Sequence, residues 1–230
     1  EELFSKGVEW YSRALLQGWT QRGSPRDHNV LVGEKTPTYA YQNECAERIY
    51  ELNPNVKLIW IFRNPIKRTF SNYLHARKNG SERLSFEKAI EHEQKRIQKD
   101  IFYGYVERSK YSDQVERFLR YFPRKQMHFM LFEDMLKHPE RELDAVCDFL
   151  GIPHEKLHIP DQHSNKTRMP LWPESLWLAH KFGGRAHIIF KIIRRINLIF
   201  PAKTPTIDSK TARKLHEVFA PYNKKLAELT

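Results

Sequence analysis

Cysteines and long apolar runs are scarce in this sequence. Its 230 residues include only two cysteines, Cys45 and Cys147, and neither has a metal-like partner nearby. We therefore expect no disulfide framework and no metal site, and a reducing compartment is the default expectation. No apolar run reaches the roughly 18–20 residues that a membrane-spanning helix needs. Internal repeats and low-complexity tracts are also missing from the sequence.

Acidic residues are too few to balance the basic ones. Lys and Arg total 39 against 28 Asp and Glu, which gives a formal net charge of +11. Such an excess favours anionic partners such as nucleotide phosphates, acidic glycans, nucleic acid or an anionic membrane, although a solubilising basic surface explains part of it. No zinc-ligand spacing and no ribonucleoprotein aromatic motif is present, so we expect no nucleic-acid partner. Hydrophobic residues make up 40%, which suffices for one packed domain over residues 1–230.

Two strand patterns alternate with helical patterns along the chain. Residues 56–62 are nearly all apolar, which predicts a parallel strand buried on both faces, and residues 127–132 predict a second strand. Asn64 and Pro65 predict a helix start, since Asn is a good N-cap and Pro is favoured at the first helical position. Residues 174–230 are expected to be the helical C-terminal part of the same domain. The alternation predicts an α/β fold with a central parallel sheet flanked by helices.

The helix after Asn64 is predicted to have a polar, cationic front. At about 100° per residue, Arg68, Ser71 and His75 share one face. The opposite face is apolar and is expected to point to the core: Ile66, Phe70, Tyr73 and Leu74. Nucleotides bind at the carboxyl ends of strands in open α/β sheets, and free N–H groups of a helix N-terminus favour a phosphate. Arg63 leaves the strand there and can fork onto phosphate oxygens. An ordinary amphipathic helix with a solvated basic face fits the same pattern.

This stretch resembles the 3′-phosphate-binding motif of sulfotransferases that use PAPS (3′-phosphoadenosine 5′-phosphosulfate). The matching residues are Arg63-Asn64-Pro65-x-x-Arg68-x-x-Ser71-x-Tyr73. Further segments resemble other parts of the family in order, so the resemblance covers about residues 5–228: residues 7–11, 33–39, 111–123, 132–134 and 149–151. It implies a P-loop-NTPase-like, three-layer α/β fold.

The resemblance also implies roles for individual residues. Arg63 and Ser71 are expected to hold the 3′-phosphate of PAPS. Lys35 is expected near the sulfuryl group or the acceptor, and His75 matches a histidine implicated in catalysis in the heparan N-sulfotransferase branch. PAPS is then the donor, its product is PAP (adenosine 3′,5′-bisphosphate), and no metal is required. For Lys35 the alternative is a surface lysine after a strand, and for His75 a surface histidine.

The loop around residue 166 is the last segment for which the resemblance implies a nucleotide contact. Lys166 and Arg168 fall where the family places a basic loop over the nucleotide, and a plain solvated loop is the alternative for both. Golgi members of the family often carry a disulfide near that loop, whereas residues 152–172 contain no Cys. That difference favours a bacterial cytoplasmic enzyme over one of the Golgi lumen.

Two family features are missing from these residues. No Gly-rich Lys-Ser/Thr turn matches the family's phosphosulfate loop, and its usual glutamate base, expected shortly before Gly7, has no match in register. We expect the first strand and that loop to belong to residues upstream of Glu1. The alternative is a catalytically inactive relative that binds PAP or another anion on the same fold.

The acceptor is only broadly indicated. A basic surface favours an anionic glycan, and small molecules stay open as acceptors. Residues 181–200 are apolar and basic, and two interpretations fit them: a core helix with a basic outer face, which we favour, or a surface helix that touches a membrane.

Overall fold

The computed structural model describes residues 31–154, 169–183, 188–199 and 202–230. The chain divides into two compact units, residues 1–56 and 57–230. In the first unit, the described residues begin without regular secondary structure, pass through turns, and form helix α1 (Cys45–Leu52) with Ala46 fully buried. No helix within the described ranges is long and apolar enough to cross a membrane.

The second unit contains a parallel pair of strands, β1 (Leu58–Phe62) and β2 (Met127–Leu131). Their register pairs Leu58 with Met127 and Phe62 with Leu131, so both strands end at the same edge of the sheet. The two strands predicted from the sequence and their parallel direction are therefore confirmed. The second strand ends one residue earlier than predicted, because Phe132 already begins a helix.

The strand β1 differs from the prediction in its burial. Trp60 and Phe62 are buried. Trp60 packs edge-on against Phe118 with 5.1 Å between ring centroids, and Phe62 packs against Tyr111 in a tilted arrangement at 5.0 Å. The other face carries Ile59 and Ile61, which are 42% and 50% exposed. The prediction of two buried faces is therefore wrong for this chain, and burial follows the two-residue period of a strand with one covered face. An apolar run alone does not distinguish these two cases.

Nine helices of the second unit surround the strands in the described part of the chain. In chain order they are α2 (Pro65–Lys78), α3 (Phe86–Glu91), α4 (Glu93–Ile97), α5 (Tyr111–Leu119), α6 (Phe132–Lys137), α7 (Pro139–Leu150), α8 (Pro173–Gly183), α9 (Ile188–Ile199) and α10 (Ser209–Leu229). Short 3₁₀ turns connect some of them: Ile101–Tyr103, Glu107–Ser109 and Arg124–Gln126. Within the described parts of residues 174–230, helices α8, α9 and α10 account for most of the chain, while residues 202–208 are not helical.

The core cluster forms where α2 packs against α3 and α10. Tyr73 and Leu74 are buried, and Ile66 and Phe70 pack against them, which confirms the predicted apolar face of α2. The remaining buried members come from several elements: Phe86, Ala89, Tyr105, Met169, Leu215 and Phe219. Edge-to-face aromatic contacts stabilise this cluster, and the ring centroids of Phe70 and Phe86 lie 4.9 Å apart in such a contact. The core therefore fixes α2 by its apolar side.

A buried carboxyl group joins α4 to the 3₁₀ turn before α5. Glu93 is 2% exposed, and its oxygens accept the backbone N–H groups of Val106 and Glu107 at 2.8–3.0 Å. Burial raises the pKa of Glu93 to about 7, although these hydrogen bonds act in the opposite direction. The carboxyl group therefore titrates near neutral pH in the folded protein.

Two glycines in the second unit adopt left-handed backbone angles after helices. Gly80 follows α2 with φ +72°, and Gly151 follows α7 with φ +75°. They differ in their surroundings. A Cβ at Gly80 would lie 2.6 Å from the backbone oxygen of Leu176 in α8, whereas a Cβ at Gly151 meets only the Nζ of Lys57 at 4.0 Å. Gly80 therefore serves close packing of α8, while Gly151 serves the backbone angle alone.

Replacing Glu93 with Gln should change the pH dependence of stability. The ordinary pKa is 4.5 and the folded value is about 7, so between these pH values only the folded state holds the proton. By linkage, the free energy of unfolding then falls as pH rises through this window, by about 3 kcal/mol. Urea titrations from pH 5 to 8 should show this loss in the wild-type protein and not in Glu93→Gln. Glu91→Gln, at an exposed site, is the control; identical profiles for all three proteins would contradict the assignment.

Substituting Ala at the two glycines separates backbone strain from steric overlap. Gly151→Ala should lower the free energy of unfolding by about 1 kcal/mol, because only the left-handed angle resists a side chain. Gly80→Ala should cost about 3 kcal/mol or more, because the new Cβ also overlaps the backbone of Leu176. Chemical denaturation measures both values. Equal losses would show that α8 does not pack against Gly80 in solution.

Candidate functional site

The candidate site lies at the shared carboxyl edge of β1 and β2. Because Phe62 pairs with Leu131, the residues that follow each strand come together there. The backbone N–H of Asn64 donates to the Glu133 Oε1 at 3.2 Å, which links the start of α2 to the start of α6. This is the edge at which open α/β sheets bind ligands.

Arg63 occupies the centre of this edge. Its backbone N–H donates to the Tyr111 hydroxyl at 3.4 Å, and its guanidinium carbon lies 5.2 Å from the ring centre of Phe132. Its Nε is buried and has no hydrogen-bond partner in the described part of the chain. A buried donor without an acceptor is costly, so this nitrogen is suited to an anion that supplies one.

The start of α2 is capped by a side chain. Asn64 Oδ1 accepts the N–H groups of Ile66 and Lys67 at 3.1 Å each, and Pro65 has no N–H. The prediction of Asn64 as N-cap and Pro65 at the first helical position is confirmed. The expectation that free N–H groups await a phosphate here is wrong, because Asn64 has already satisfied them. Only the positive end of the helix dipole remains to attract an anion.

Arg68 does not lie on an open cationic face, as the helical spacing predicted. Its Nη1 donates to the Ser109 Oγ at 3.0 Å, and its guanidinium carbon lies 5.7 Å from the ring centre of Tyr111. Burial, as the largest cause, and nearby Arg108 lower the pKa of Arg68 to about 10, while Tyr111 opposes the shift. The guanidinium still carries its charge at neutral pH. Helical spacing gives the direction of a side chain but not the neighbour that covers it.

Ser109 is the hydrogen-bonding centre beneath Arg68. Its Oγ lies 2.9 Å from the Thr69 Oγ1 and donates to the Tyr105 carbonyl at 3.0 Å. Thr69 and Ser109 are both buried, at 0% and 1% exposure. The network ties α2 to the turn that leads into α5, and thereby places Tyr111 beside Arg63.

Ser71 and His75 lie further along α2. Ser71 is half-buried, and no hydrogen bond of its hydroxyl is present within the described ranges. His75 is exposed, and the Asn79 amide nitrogen lies 2.7 Å from its Nε2.

The structure does not test the other predicted site residues. Lys35 is exposed and belongs to the first unit, where its neighbour Glu34 accepts hydrogen bonds from Thr36 and Tyr39 at 2.8 Å. Lys166 and Arg168 lie outside the described residues. Their roles stay predictions.

Two residues at the edge were not nominated from the sequence. Tyr111 contacts both Arg63 and Arg68, and Glu133 contacts Asn64. Burial raises the pKa of Tyr111, so its hydroxyl keeps its proton at neutral pH. The signal for Glu133 was its position directly after the second strand. For Tyr111 the sequence carries no such local signal, since it reaches the edge through packing of α5.

Among the described residues, no group of three or more His, Cys, Asp or Glu side chains is placed to hold a metal ion. The edge carries guanidinium, hydroxyl and aromatic groups, and the carboxylate of Glu133 there accepts the Asn64 N–H. The guanidinium of Arg63 suits a phosphate or sulfate better than a cation.

The family model for the sulfotransferase domain matches residues 8–170, and the chain belongs to that family. The parallel pair, the arginine at its edge and the capped helix that follows are the parts that the sequence motif identified.

Curated relatives include heparan sulfate glucosamine 3-O-sulfotransferase 5 of Mus musculus, which is 28% identical over 238 residues. Heparan sulfate glucosamine 3-O-sulfotransferase 3B1 of Homo sapiens is 29% identical over 234 residues. Both alignments take in 100% of this chain, but only 61% and 54% of the relatives. The chain therefore spans a little more than half the length of these curated relatives.

A solved structure supports the fold. The crystal structure of a sulfotransferase from Alicyclobacillus acidocaldarius is similar with a TM-score of 0.64 and 23% identity, over 93% of this chain and 74% of that one. At this identity the likeness concerns the fold alone. The α/β sulfotransferase fold expected from the sequence is confirmed.

Replacing Ser109 with Ala should show that the network beneath Arg68 supports the site. Ser109→Ala leaves the buried guanidinium and the Thr69 hydroxyl without this acceptor, so the free energy of unfolding should fall by about 2 kcal/mol. Ser112→Ala is the matched control. Ser112 is equally buried, but its one side-chain hydrogen bond, to Asp113, is long at 3.3 Å, and its loss should cost about 1 kcal/mol or less. Equal losses in denaturant titrations would count against a supporting role.

Proposed function

We propose that the protein transfers a sulfuryl group from PAPS to a hydroxyl or amine of a carbohydrate. The observation that carries the proposal is the buried, unpartnered Nε of Arg63 at the carboxyl edge of the parallel pair. Membership of the sulfotransferase domain family and the names of the relatives support the reaction type and the acceptor class.

The donor's 3′-phosphate is the group that we assign to Arg63. The guanidinium lies against Phe132, so its orientation is restricted before any ligand binds, which reduces the entropy lost on binding. The Tyr111 hydroxyl accepts the Arg63 backbone N–H, and its own proton has no acceptor in the described part of the chain. Ser71 offers a further hydroxyl two turns into α2. In our proposal, side chains therefore donate hydrogen bonds to the phosphate in place of the helix N–H groups, which Asn64 has capped.

Two arginines of the motif then have different tasks. Arg63 faces the edge with an unpartnered donor, whereas Arg68 bonds Ser109 and adds positive charge from beneath. Because Arg68 is buried in a low-dielectric environment, its charge is poorly screened and contributes to the field at the edge. We infer that Arg63 binds the phosphate and that Arg68 is a positioning residue.

Sulfuryl transfer requires cations around the group that moves. The acceptor's lone pair forms a bond to sulfur, the bond from sulfur to the 5′-phosphate oxygen breaks, and its electron pair leaves with PAP. Negative charge grows on the leaving oxygen, so preorganised cations supply most of the stabilisation, and we assign Lys35 to this task. A base must take the acceptor's proton. His75 is our candidate, and in that role its Nε2 must first leave Asn79.

The acceptor that we propose is an anionic glycan. The relatives are named for heparan sulfate, and the net charge of +11 favours association with a polyanion. Small molecules are the alternative class of acceptor.

Calorimetric titration with PAP should test the nucleotide site. Arg63→Ala removes a charge-assisted hydrogen bond to phosphate, so the dissociation constant should rise about 10- to 100-fold. Ser71→Ala should raise it by a smaller factor, because a neutral hydroxyl contributes less. Arg141→Ala is the control, since Arg141 is exposed and bonds only its neighbour Glu142.

Unchanged affinity in Arg63→Ala would remove Arg63 from the nucleotide site. Transfer itself is measured with radiolabelled PAPS and either a desulfated heparan chain or a neutral polysaccharide. Label should enter the acidic chain preferentially. Tight PAP binding without transfer to any acceptor would refute the enzymatic part of the proposal while leaving the nucleotide site intact.

A further inference from the structure

Helix α9 has three distinct faces. At about 100° per residue, Phe190, Ile193 and Asn197 lie within one arc, and Phe190 and Asn197 are buried there at 3% and 2% exposure. A second arc carries the cationic residues Lys191, Arg194 and Arg195, all exposed. The third arc carries only isoleucines, which we call the isoleucine face: Ile188, Ile189, Ile192, Ile196 and Ile199.

The isoleucine face points away from the protein. Its five side chains are 43% to 63% exposed, so the apolar arc that packs inward is a different one. Further large apolar groups are exposed on or next to α8, which packs against α9: Leu171, Trp172 and Leu178. Exposed apolar surface of this extent, bordered by charged residues, marks an interaction site. The sequence interpretation that we favoured, a core helix with a basic outer face, accounts for the cations but not for these isoleucines.

A buried amide fixes which face of α9 is exposed. Asn197 Oδ1 accepts the backbone N–H of Trp172 at 2.7 Å, and its Nδ2 donates to the Ile193 carbonyl at 3.0 Å. The ring of Phe190 meets His180 of α8 at 6.2 Å. Rotating α9 to bury its isoleucines would expose Phe190 and break the hydrogen bond from the Trp172 N–H to Asn197, which is costly. The exposed isoleucine face is therefore built into the packing.

We propose that the isoleucine face docks the protein onto the surface of an anionic lipid bilayer. A helix of 12 residues is about 18 Å long, and it can lie in the plane of the interface with its apolar arc among the acyl chains. Lys191, Arg194 and Arg195 then meet the lipid phosphates, and α9 contains no acidic residue to oppose them. The exposed Trp172 has the amphipathic ring that favours this depth.

Charge favours a bilayer over a second copy of the chain. In a two-fold dimer through the isoleucine face with antiparallel helices, the same surface meets itself, so the three cations of one α9 would lie on the same side as those of the other. Like charges opposed in this way are unfavourable. An anionic membrane accepts the apolar arc and the cations together. The inference does not depend on the proposed sulfuryl transfer.

Vesicle sedimentation tests the proposal with the intact chain. Binding to vesicles of equimolar phosphatidylcholine and phosphatidylglycerol should exceed binding to phosphatidylcholine alone, and it should weaken as salt rises. Ile192→Glu/Ile196→Glu should reduce the partition coefficient about tenfold or more, because it places two charges in the apolar arc. Arg194→Gln/Arg195→Gln should mainly reduce the salt-dependent part.

A matched variant controls for charge and loss of apolar side chains. Leu136→Glu/Ile152→Glu makes the same change at two exposed apolar positions outside α8 and α9, and it should bind vesicles like the wild type. Circular dichroism confirms that each variant is folded. Equal vesicle binding by Ile192→Glu/Ile196→Glu and Leu136→Glu/Ile152→Glu would overturn the proposal. So would self-association that Ile192→Glu/Ile196→Glu abolishes while vesicle binding persists, because the face would then be a dimer interface.

Discussion

The parallel register of β1 and β2 is the constraint on which the candidate site depends. Because Phe62 lies opposite Leu131, Arg63 leaves one strand where Phe132 and Glu133 leave the other. The aromatic ring of Phe132 then lies against the guanidinium, and the carboxylate of Glu133 accepts the N–H of Asn64. A shift of one residue in the register would reverse which side chains face the core and would separate these partners.

The start of α2 is capped by Asn64, and the helix packs against its neighbours through Arg68. Asn64 satisfies the first N–H groups, so the helix is complete without a ligand. Arg68 then stabilises the packing of α2 through Ser109, which holds Tyr111 next to Arg63. Within the described part of the chain the Nε of Arg63 has no acceptor, and under the proposed function the anion supplies one.

Local patterns predicted the elements, and tertiary packing decided the surroundings of individual side chains. The N-cap, the proline after it and the apolar side of α2 depend on residues near one another in the chain, and these predictions were confirmed. Arg68 was expected at an open face, but Ser109, which is distant in the sequence, accepts its hydrogen bond. Tyr111 was missed for the same reason. No periodicity records that α5 brings its first residue to the edge of the sheet.

Helix α9 illustrates the same limit and shows where a sequence can overcome it. Apolar residues occupy two of its three arcs, so hydrophobic periodicity alone fits either arc as the buried one. The polar Asn197 lies within the arc of Phe190, and a buried amide must find partners for both its donor and its acceptor. The backbones of Trp172 and Ile193 supply them. A single amide in an apolar arc can therefore mark the inward face of a helix, which leaves the purely apolar arc outside.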